Sequence, residues 1–568
     1  MVDKIVECVP NFSEGNDLEK IRAITDAAEE VDGVTLLDVD PGADTNRTVV
    51  TIVGSPEAVK ESAFQAIAKA AEVIDMRTHE GTHARMGATD VCPFVPVSGV
   101  TMDDCVQYAR EVGERVASEL HIPVYLYEHA AATLERQNLA IVRAGEYEGL
   151  EEKLKDPNWK PDFGDPEFNA QSGATIMGAR EFLIAYNINL NTKDGRWATD
   201  IAFELREKGR SKRNPNPISK NLLDGEIVRD EKGKAVKVLG MFKDVKAVGW
   251  YVDTYSRAQI SINFTNYKVS SIHEVYDAAC RLAEERGLRV TGSELVGLIP
   301  LEALLMAGRH YLQKQGRTSG VPVSELVEIA VQSLGLNDVA PFVAQEKIIE
   351  YAVRNDKGGL ISMTVKDFVE ELSTDSPAPG GGSVSALLGS LAAALASMVA
   401  ALTHGKKGME EKKSQMENVG IKAQELKDRL STLVDADTEA FNELMAAMRL
   451  PKKTDEQKTA RHTAVQEATK AATKIPLEIA KLCSEVLDLA DVVAREGLAA
   501  SVSDAGVAAE AALAGLRGAR LNVLINLADI EDEKFKKGVT DEVNDMERSA
   551  AELKRKVITQ VEKVIAGA

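Results

Sequence analysis

Over roughly the first 180 residues, apolar and β-branched runs alternate with segments whose apolar positions recur at helical spacing. The runs predict strands over 5–10, 34–39, 48–53, 89–97 and 123–127. Helical periodicity predicts helices over 17–30, 57–74 and 102–120. The order strand-helix-strand-strand-helix-strand describes a ferredoxin-like α+β sandwich with helices on one face of its sheet. A second α/β unit is expected over 181–333. Its first strand, 181–190, sets Phe182, Ile184, Tyr186, Ile188 and Leu190 on one face and Leu183, Ala185, Asn187 and Asn189 on the other. The pattern returns over 259–264, with Ile260, Ile262 and Phe264 opposite Gln259, Ser261 and Asn263. Two readings of these uncharged polar faces stay open. One is a solvated sheet surface; the other is a surface on which Asn187 and Asn189 hydrogen-bond a neutral heterocycle through their carboxamides.

Residues 334–363 include Asn337, Pro341 and two adjacent glycines, Gly358 and Gly359, and look like a connector. From Thr364 the strand signals vanish, Ala dominates, and long helical patterns follow one another. The fold class is therefore multidomain: two α/β subdomains, 1–180 and 181–333, followed by an all-α helical bundle over 364–568.

Length and charge sharpen this picture. A chain of 568 residues has room for three or four folding units. A formal net charge of −21 excludes non-specific nucleic-acid binding, which needs dense Lys and Arg. It also requires that any anionic ligand be held by a local positive site. Cys8, Cys92, Cys105, Cys280 and Cys483 are dispersed, without a C-x-x-C pair, as expected of free thiols in a reducing compartment. The N-terminus lacks the basic start and apolar run of a signal peptide, so a cytoplasmic protein is expected. Residues 384–402 carry no charge and are long enough to span a bilayer. They are mostly Ala, Ser and Gly, without Trp or Tyr anchors, which predicts a buried bundle helix and no membrane partner.

His79-Glu80-Gly81-Thr82-His83 formally matches the H-E-x-x-H zinc signature. That site needs both histidines on one helical face, and Gly81 weakens a helix by roughly 1 kcal/mol relative to Ala. No third ligand follows, so a zinc-dependent hydrolase using His79 and His83 is only the lesser alternative. In a Gly-flanked loop before a strand, His83 is instead free to act as acid or base near neutrality. Arg85 beside it is placed to hold a carboxylate by a two-point contact. Further on, Asp437 shares a helical stripe with Val434 and Phe441. It is either a carboxylate whose pKa is raised by apolar surroundings or an ordinary helix-start aspartate. The turn of Gly380, Gly381, Gly382 and Ser383 exposes backbone N–H groups at a helix start, a common anion site. It lacks the Lys-Ser/Thr ending of a nucleotide loop.

Several long motifs carry a resemblance. Val9-Pro10-Asn11-Phe12-Ser13-Glu14-Gly15, Leu36-Leu37-Asp38-Val39-Asp40, Asn46-Arg47-Thr48, the run 83–94 and Arg143-Ala144-Gly145-Glu146-Tyr147-Glu148 resemble glutamate formiminotransferase. Ala378-Pro379-Gly380-Gly381-Gly382-Ser383, the run 433–441, Arg449-Leu450-Pro451-Lys452 and the run 522–527 resemble formiminotetrahydrofolate cyclodeaminase. The resemblance covers nearly the whole chain in the order of the bifunctional formimidoyltransferase-cyclodeaminase family. Ala84 departs from a proline associated with vertebrate members, and 211–243 looks like an insertion.

The resemblance implies transfer of a formimino group from N-formimino-L-glutamate to tetrahydrofolate, then cyclisation to 5,10-methenyltetrahydrofolate with release of ammonia. It assigns His83 as the transferase base and Asp437 as the cyclodeaminase acid or base, with Asp40 orienting the histidine or holding the amidinium. It assigns Gly164, Asp165, Pro166, Glu167, Phe168, Asn169, Ala170, Gln171, Ser172 and Gly173 as the folate-binding loop. Asp40, Arg85, Asn187, Asn189, Gly380, Gly381, Gly382 and Ser383 are the remaining substrate-binding candidates. Tetrahydrofolate, with or without extra glutamates, is the carrier substrate; no metal and no nucleotide are implied. A ring-like homo-oligomer of dimers is expected. The rival from another class is a folate-binding or scaffold protein without catalysis.

Overall fold

The computed structural model describes residues 4–43, 45–81, 83–353, 359–376 and 378–567. Contacts divide the chain into two units. One runs up to Met306 and takes in the segment that starts at Val331; the other is made of Ala307–Ala330 and the C-terminal region.

The first subdomain contains a seven-stranded sheet of β1 (Ile5–Cys8), β2 (Asn11–Phe12), β3 (Val34–Gly42), β4 (Arg47–Gly54), β5 (Thr89–Ser98), β6 (Val124–Glu128) and β7 (Thr175–Ala179). The order is β1-β4-β2-β5-β7-β6, with β3 on the outer side of β4. Only β7 runs parallel to its neighbours, β5 and β6. Helices α1 (Leu18–Glu29), α2 (Pro56–Val73) and α3 (Met102–Leu120) share a core with one sheet face, where Val6, Cys8, Ile52 and Phe94 have no exposed surface. The α3 start is fixed by a capping box between Thr101 and Asp104. Because strand side chains alternate, burying Val6 and Cys8 among the helices turns Glu7, Val9 and Asn11 to the opposite face. Two short helices, α4 (Leu139–Val142) and α5 (Leu150–Lys155), contribute to a second core with Tyr125, Tyr127 and Ile176.

The second subdomain follows the same plan. Its first strand, β8 (Ile184–Leu190), starts three residues later than expected, although Phe182 before it is buried. Helix α6 (Gly195–Leu205) comes next, and the 211–243 region forms two small ladders. These are β9 (Arg210–Ser211) with β12 (Lys237–Val238), and β10 (Arg213–Asn214) with β11 (Glu226–Ile227). Strands β13 (Val245–Val252), β14 (Arg257–Phe264) and β15 (Val290–Val296) complete an antiparallel sheet ordered β13-β14-β8-β15, with α7 (Ile272–Glu285) between the last two in sequence.

The predicted apolar face is fully buried at Ile184, Ile188, Ile260, Ile262 and Phe264. The polar face differs from both expectations. Asn187, Asn189 and Gln259 are also buried, and their amide donors are taken by internal carboxylates and by one another. Asn187 donates to Glu294 at 3.2 Å, Asn189 to Asp338 at 3.0 Å, and Gln259 to both Asn189 and Glu294. Asn187, Asn189 and Gln259 are thus neither solvated nor free donors, because an unpaired buried amide is expensive and the fold pairs them internally, whereas Asn263 on the same face is exposed.

Asp338 lies in the stretch expected as a connector. After α8 (Leu301–Lys314) and α9 (Val323–Leu334), its described part up to 353 holds α10 (Ala344–Lys347) and α11 (Ile349–Ala352), while 354–358, with Gly358, lie outside the described residues. Ile348 and Ile349 are fully buried, and the Ile349 amide donates to the Ile299 carbonyl.

The helical region consists of α12 (Val365–Leu372), α13 (Gly381–His404), α14 (Lys413–Met448), α15 (Asp455–Glu496), α16 (Val502–Leu527) and α17 (Glu533–Ile565). Helix α13 is apolar and long enough to cross a membrane, yet its small residues form bundle core, with Ala386, Ala392, Ala393, Ala396 and Ala400 fully buried. A Cβ on Gly389 would stand 2.6 Å from Cys483 Sγ of α15, so glycine sets the closeness of that packing.

One buried ion cluster tests the energetics of the second subdomain. Asp200 of α6 has no exposed surface and binds both Arg210, at 2.6 Å, and Arg286, at 2.7 Å. Removing its carboxylate leaves two buried guanidinium groups with only Glu204 to share, 2.6 Å from Arg286 and 3.5 Å from Arg210, and breaking a buried pair typically costs about 3–5 kcal/mol. Asp200→Ala should therefore lower the melting temperature of this half markedly; an unchanged melting curve would refute the role.

Candidate active sites

The loop carrying His83 is built by close approach to the β3–β4 turn. Asn46 takes a left-handed conformation (φ 48°), which asparagine tolerates better than most residues. Its side chain accepts from the Gly15 amide at 2.9 Å and donates to the Glu80 carbonyl at 2.7 Å. Its own carbonyl meets His79 Nε2 at 3.0 Å. A Cβ on Gly81 would stand 2.5 Å from the Thr45 carbonyl oxygen, so the approach needs glycine there. The described part of 79–83 is not helical, which removes the geometry of the zinc signature. Among the described residues no group of His, Cys, Asp and Glu is placed to hold a metal.

His83 is half-buried. Its Nδ1 lies 2.7 Å from the Ala84 carbonyl oxygen, which can only accept. Nδ1 therefore carries the proton, and the basic lone pair sits on Nε2, which is in hydrogen-bond contact with the Arg47 guanidinium. Burial lowers the imidazole pKa, and Arg47 and Arg143 lower it further; the Ala84 carbonyl and Asp90 pull the other way. The ring is thus neutral near pH 7.

Two expected partners are elsewhere. Asp40 makes no hydrogen bond to His83; it is exposed on β3 and acts on Arg47 only as a more distant charge. Arg85 does make the predicted two-point contact, but with the chain's own Glu148, at 2.7 and 2.9 Å, and it also meets Glu146. It is buried and spoken for, so it is not a substrate clamp.

Sequence reasoning missed the groups that line the cleft. One lobe, about 780 Å³, is walled by Arg47, Arg143, Arg180, Lys246 and Tyr127 among others. A second, about 820 Å³, takes in Glu7, Asp40, Arg47, Arg180 and Leu298. Asn11, Arg47, Arg180 and Leu183 belong to both. These volumes suit a drug-sized ligand. Arg143 is neutralised by the buried Asp90. Among the described residues, Arg47 and Arg180 meet no carboxylate, and Arg47 Nε is buried without a partner. The signal that could have found Glu7 is a lone carboxylate inside an otherwise apolar strand.

The proposed folate loop is split. Gly164, Asp165 and Glu167 rim a separate depression of about 640 Å³ with His121. Its second half is stitched to the strand behind His83: the Ala88 amide donates to the Ser172 carbonyl at 2.8 Å, and the Ala170 carbonyl accepts from Tyr147 Oη at 2.5 Å. Phe168 packs on the Tyr147 ring, with centroids 5.5 Å apart. None of the ten loop residues lines the two lobes beside Arg47.

In the helical region, Asp437 lies deep inside α14, which excludes a helix-start role. Its carboxylate lies against Ser383 at the start of α13 and accepts from the Ser383 backbone amide. The expected anion site at Gly380–Ser383 is thus occupied by the protein's own Asp437. A Cβ on Gly382 would collide with that carboxylate, and one on Gly381 would meet Asn522 Nδ2 at 3.2 Å. Ser383 Oγ also donates to the Val434 carbonyl at 2.8 Å. Burial raises the Asp437 pKa, and the Ser383 bonds only partly offset this.

Comparison with known proteins matches three family models: Formiminotransferase domain, N-terminal subdomain, over 5–180; Formiminotransferase domain over 185–354; and Formiminotransferase-cyclodeaminase over 364–545. The chain belongs to the formiminotransferase-cyclodeaminase family. It is 43% identical over 552 residues to the formimidoyltransferase-cyclodeaminase of Rattus norvegicus, covering 97% of each chain. It is 40% identical over 310 residues to the glutamate formimidoyltransferase of Streptococcus pyogenes, 55% of this chain and 94% of that one. A methenyltetrahydrofolate cyclohydrolase of Methylorubrum extorquens is 40% identical over 198 residues, 35% of this chain and 95% of that one. Parts of a formiminotransferase-cyclodeaminase chain thus correspond to nearly complete separate proteins, as a fusion of modules would.

Glu7 gives the formiminotransferase half a testable pH dependence. Burial raises its pKa from 4.5 to about 7, with Arg180 pulling it down. A carboxyl whose folded pKa lies above its unfolded value destabilises the fold at high pH, and the penalty is absent below the unfolded pKa. Glu7→Gln should therefore stabilise the protein at pH 8 by on the order of 3 kcal/mol, with the gain fading between about pH 7 and 4.5. A gain of equal size at pH 4 and pH 8 would contradict this.

Proposed function

We propose that this chain transfers the formimino group of N-formimino-L-glutamate to tetrahydrofolate and then closes the product to 5,10-methenyltetrahydrofolate, releasing ammonia. The observation that carries the reading is a neutral His83 with its lone pair on Nε2, beside a cleft whose arginines are not all paired, in a family member matched along nearly its whole length.

In the transfer, the ring nitrogen of the folate attacks the formimino carbon and Nε2 of His83 accepts the proton that this nitrogen loses. The tetrahedral intermediate then collapses, and the glutamate nitrogen leaves with a proton. In the helical half, the bridge nitrogen attacks the same carbon, its proton passes to the formimino nitrogen, and Asp437 supplies the second proton with which that nitrogen leaves as ammonia. A raised pKa suits that second role, because the carboxyl is kept protonated closer to neutrality. The cofactor reading follows from this chemistry: tetrahydrofolate is the carrier, and neither step calls for a metal or nucleotide. The folate reaches His83 from the side of the 164–173 loop, a reading supported by the backbone bonds from that loop to 86–88.

Self-association is supported by α13. Val384, Leu388, Leu391, Leu395, Met398 and Leu402 follow four-and-three spacing and remain partly or fully exposed. An unfilled apolar seam of this kind suits a second helix. Dispersed free thiols fit a reducing, cytoplasmic setting.

The assay follows ammonia and methenyl-folate absorbance with formiminoglutamate and tetrahydrofolate supplied. His83→Ala should abolish transfer yet still cyclise supplied formimino-folate; Asp437→Ala should do the reverse. Two folded variants that each lose both activities would overturn the division of labour. Gly382→Ala should depress cyclisation at least about tenfold, because its Cβ displaces the Asp437 carboxyl. Full cyclisation in that variant would remove Asp437 from the chemistry.

A further inference from the structure

The cleft contains a contradiction that a simple general base does not explain. The basic atom of His83, Nε2, is covered by the Arg47 guanidinium. A nitrogen that accepts a hydrogen bond from a cation can take no second proton while that bond stands. Arg47 is itself poorly satisfied. Its Nε is buried without a partner, and burial together with Arg143 disfavours its charge. Arg143 has Asp90 and Arg85 has Glu148, so the two neighbouring cations are already paired. Arg47 lines both lobes and shares that position with Arg180, which among the described residues donates to the Glu181 carbonyl at 3.0 Å and to no carboxylate.

We propose that Arg47 is a positioning residue that masks His83 Nε2, and that a ligand carboxylate seated in the cleft draws the guanidinium away and so uncovers the base. The inference rests on the transfer reading for the identity of the ligand: formiminoglutamate offers two carboxylates, and a folate tail offers the same chemistry. A carboxylate is the better partner for a guanidinium, since the charge-assisted, two-point bond is stronger than a bond to a neutral imidazole. Once the pair forms, the cation facing His83 is neutralised as well. The groups facing that imidazole are Arg47 on β4, Arg143 after α4 and Asp90 on β5, with Asp40 on β3 acting on Arg47. Among these, Arg47 is the cation that lacks a carboxylate partner, so seating an anion there shifts His83 toward protonation. The base becomes competent when the co-substrate is present, and idle otherwise.

The test is proton uptake on ligand binding, measured by titration calorimetry of the full chain in buffers of different ionisation enthalpy near pH 6. The probes are L-glutamate and 5-formyltetrahydrofolate, with the same folate lacking its glutamate as a control. Wild type should take up a fraction of a proton with L-glutamate, and His83→Ala and Arg47→Gln should not. Uptake only with the glutamate-bearing folate would assign the carboxylate to the folate tail. No uptake with either probe, or equal uptake in Arg47→Gln, would overturn the proposal.

A kinetic arm separates masking from mere support of the fold. Arg47→Gln should raise KM for formiminoglutamate about 10- to 100-fold. It should also move the acid limb of kcat/KM to higher pH, because the free-enzyme imidazole loses its neighbouring cation. Arg47→Lys, which keeps the charge, should leave that limb near its wild-type position. An acid limb unmoved in Arg47→Gln would overturn the masking role. A chain that takes up protons as expected but transfers nothing would sink the transfer reading and leave this inference standing; the opposite result would do the reverse.

Discussion

A guanidinium without a carboxylate, held against a neutral imidazole, is the constraint around which the formiminotransferase half is arranged. In a chain with a net charge of −21, carboxylates are plentiful, and nearby arginines have found them. Arg143 is neutralised by Asp90, and Arg85 by Glu146 and Glu148. Keeping Arg47 unpaired requires scaffolding. The left-handed Asn46 ties the turn before β4 to the histidine loop, and Gly81 lets the two backbones close on each other. The Met86 amide, held by the buried Asp90 carboxylate at 3.0 Å, fixes the far end of the same loop.

The helical half solves the opposite problem with the opposite charge. There a carboxyl is held at the start of α13, where helix N–H groups favour an anion, but inside a bundle where burial disfavours one. Burial is the stronger of the two, so Asp437 titrates high. Gly382 has no side chain because the carboxyl occupies that space. The glycine-rich turn is therefore best understood as a socket for a side chain of α14. Loop flexibility would not explain why a Cβ at Gly382 collides with that particular group.

Period and composition locate five strands of the first sheet, the helices packed on it and the long apolar bundle helix, but not the short β2 or β7, which lies between β5 and β6. The located features depend on local alternation, which a sequence displays directly. The failures among the expected ligand donors were all of one kind. Arg85, Asn187 and Asn189 have the right donors for a ligand, but the fold supplies internal acceptors from distant parts of the chain: Glu148, Glu294 and Asp338. Nothing in local pattern says which carboxylate a buried donor will meet. Asp40 lines the second lobe near Arg47 but makes no hydrogen bond to His83, because it sits on the exposed outer strand β3. Arg47 stood in a quoted motif without a role, because its importance lies in the absence of a partner. The 334–363 stretch was taken for a connector on its Gly, Asn and Pro content, yet Asp338, Ile348 and Ile349 tie much of it to the second subdomain.

The two proposed proton carriers are perturbed in opposite directions by one cause. Burial penalises whichever form is charged, so it lowers the histidine and raises the aspartate, moving each toward its neutral form. A neutral imidazole has a lone pair to offer, and a neutral carboxyl has a proton. The order of the proposed reactions uses them in that sense: the first begins when a folate nitrogen must shed a proton, and the second ends when ammonia must carry one away. A buried site of either kind would run only one of these steps well. Placing the two groups in different cores lets burial tune the proposed base and the proposed acid in opposite directions.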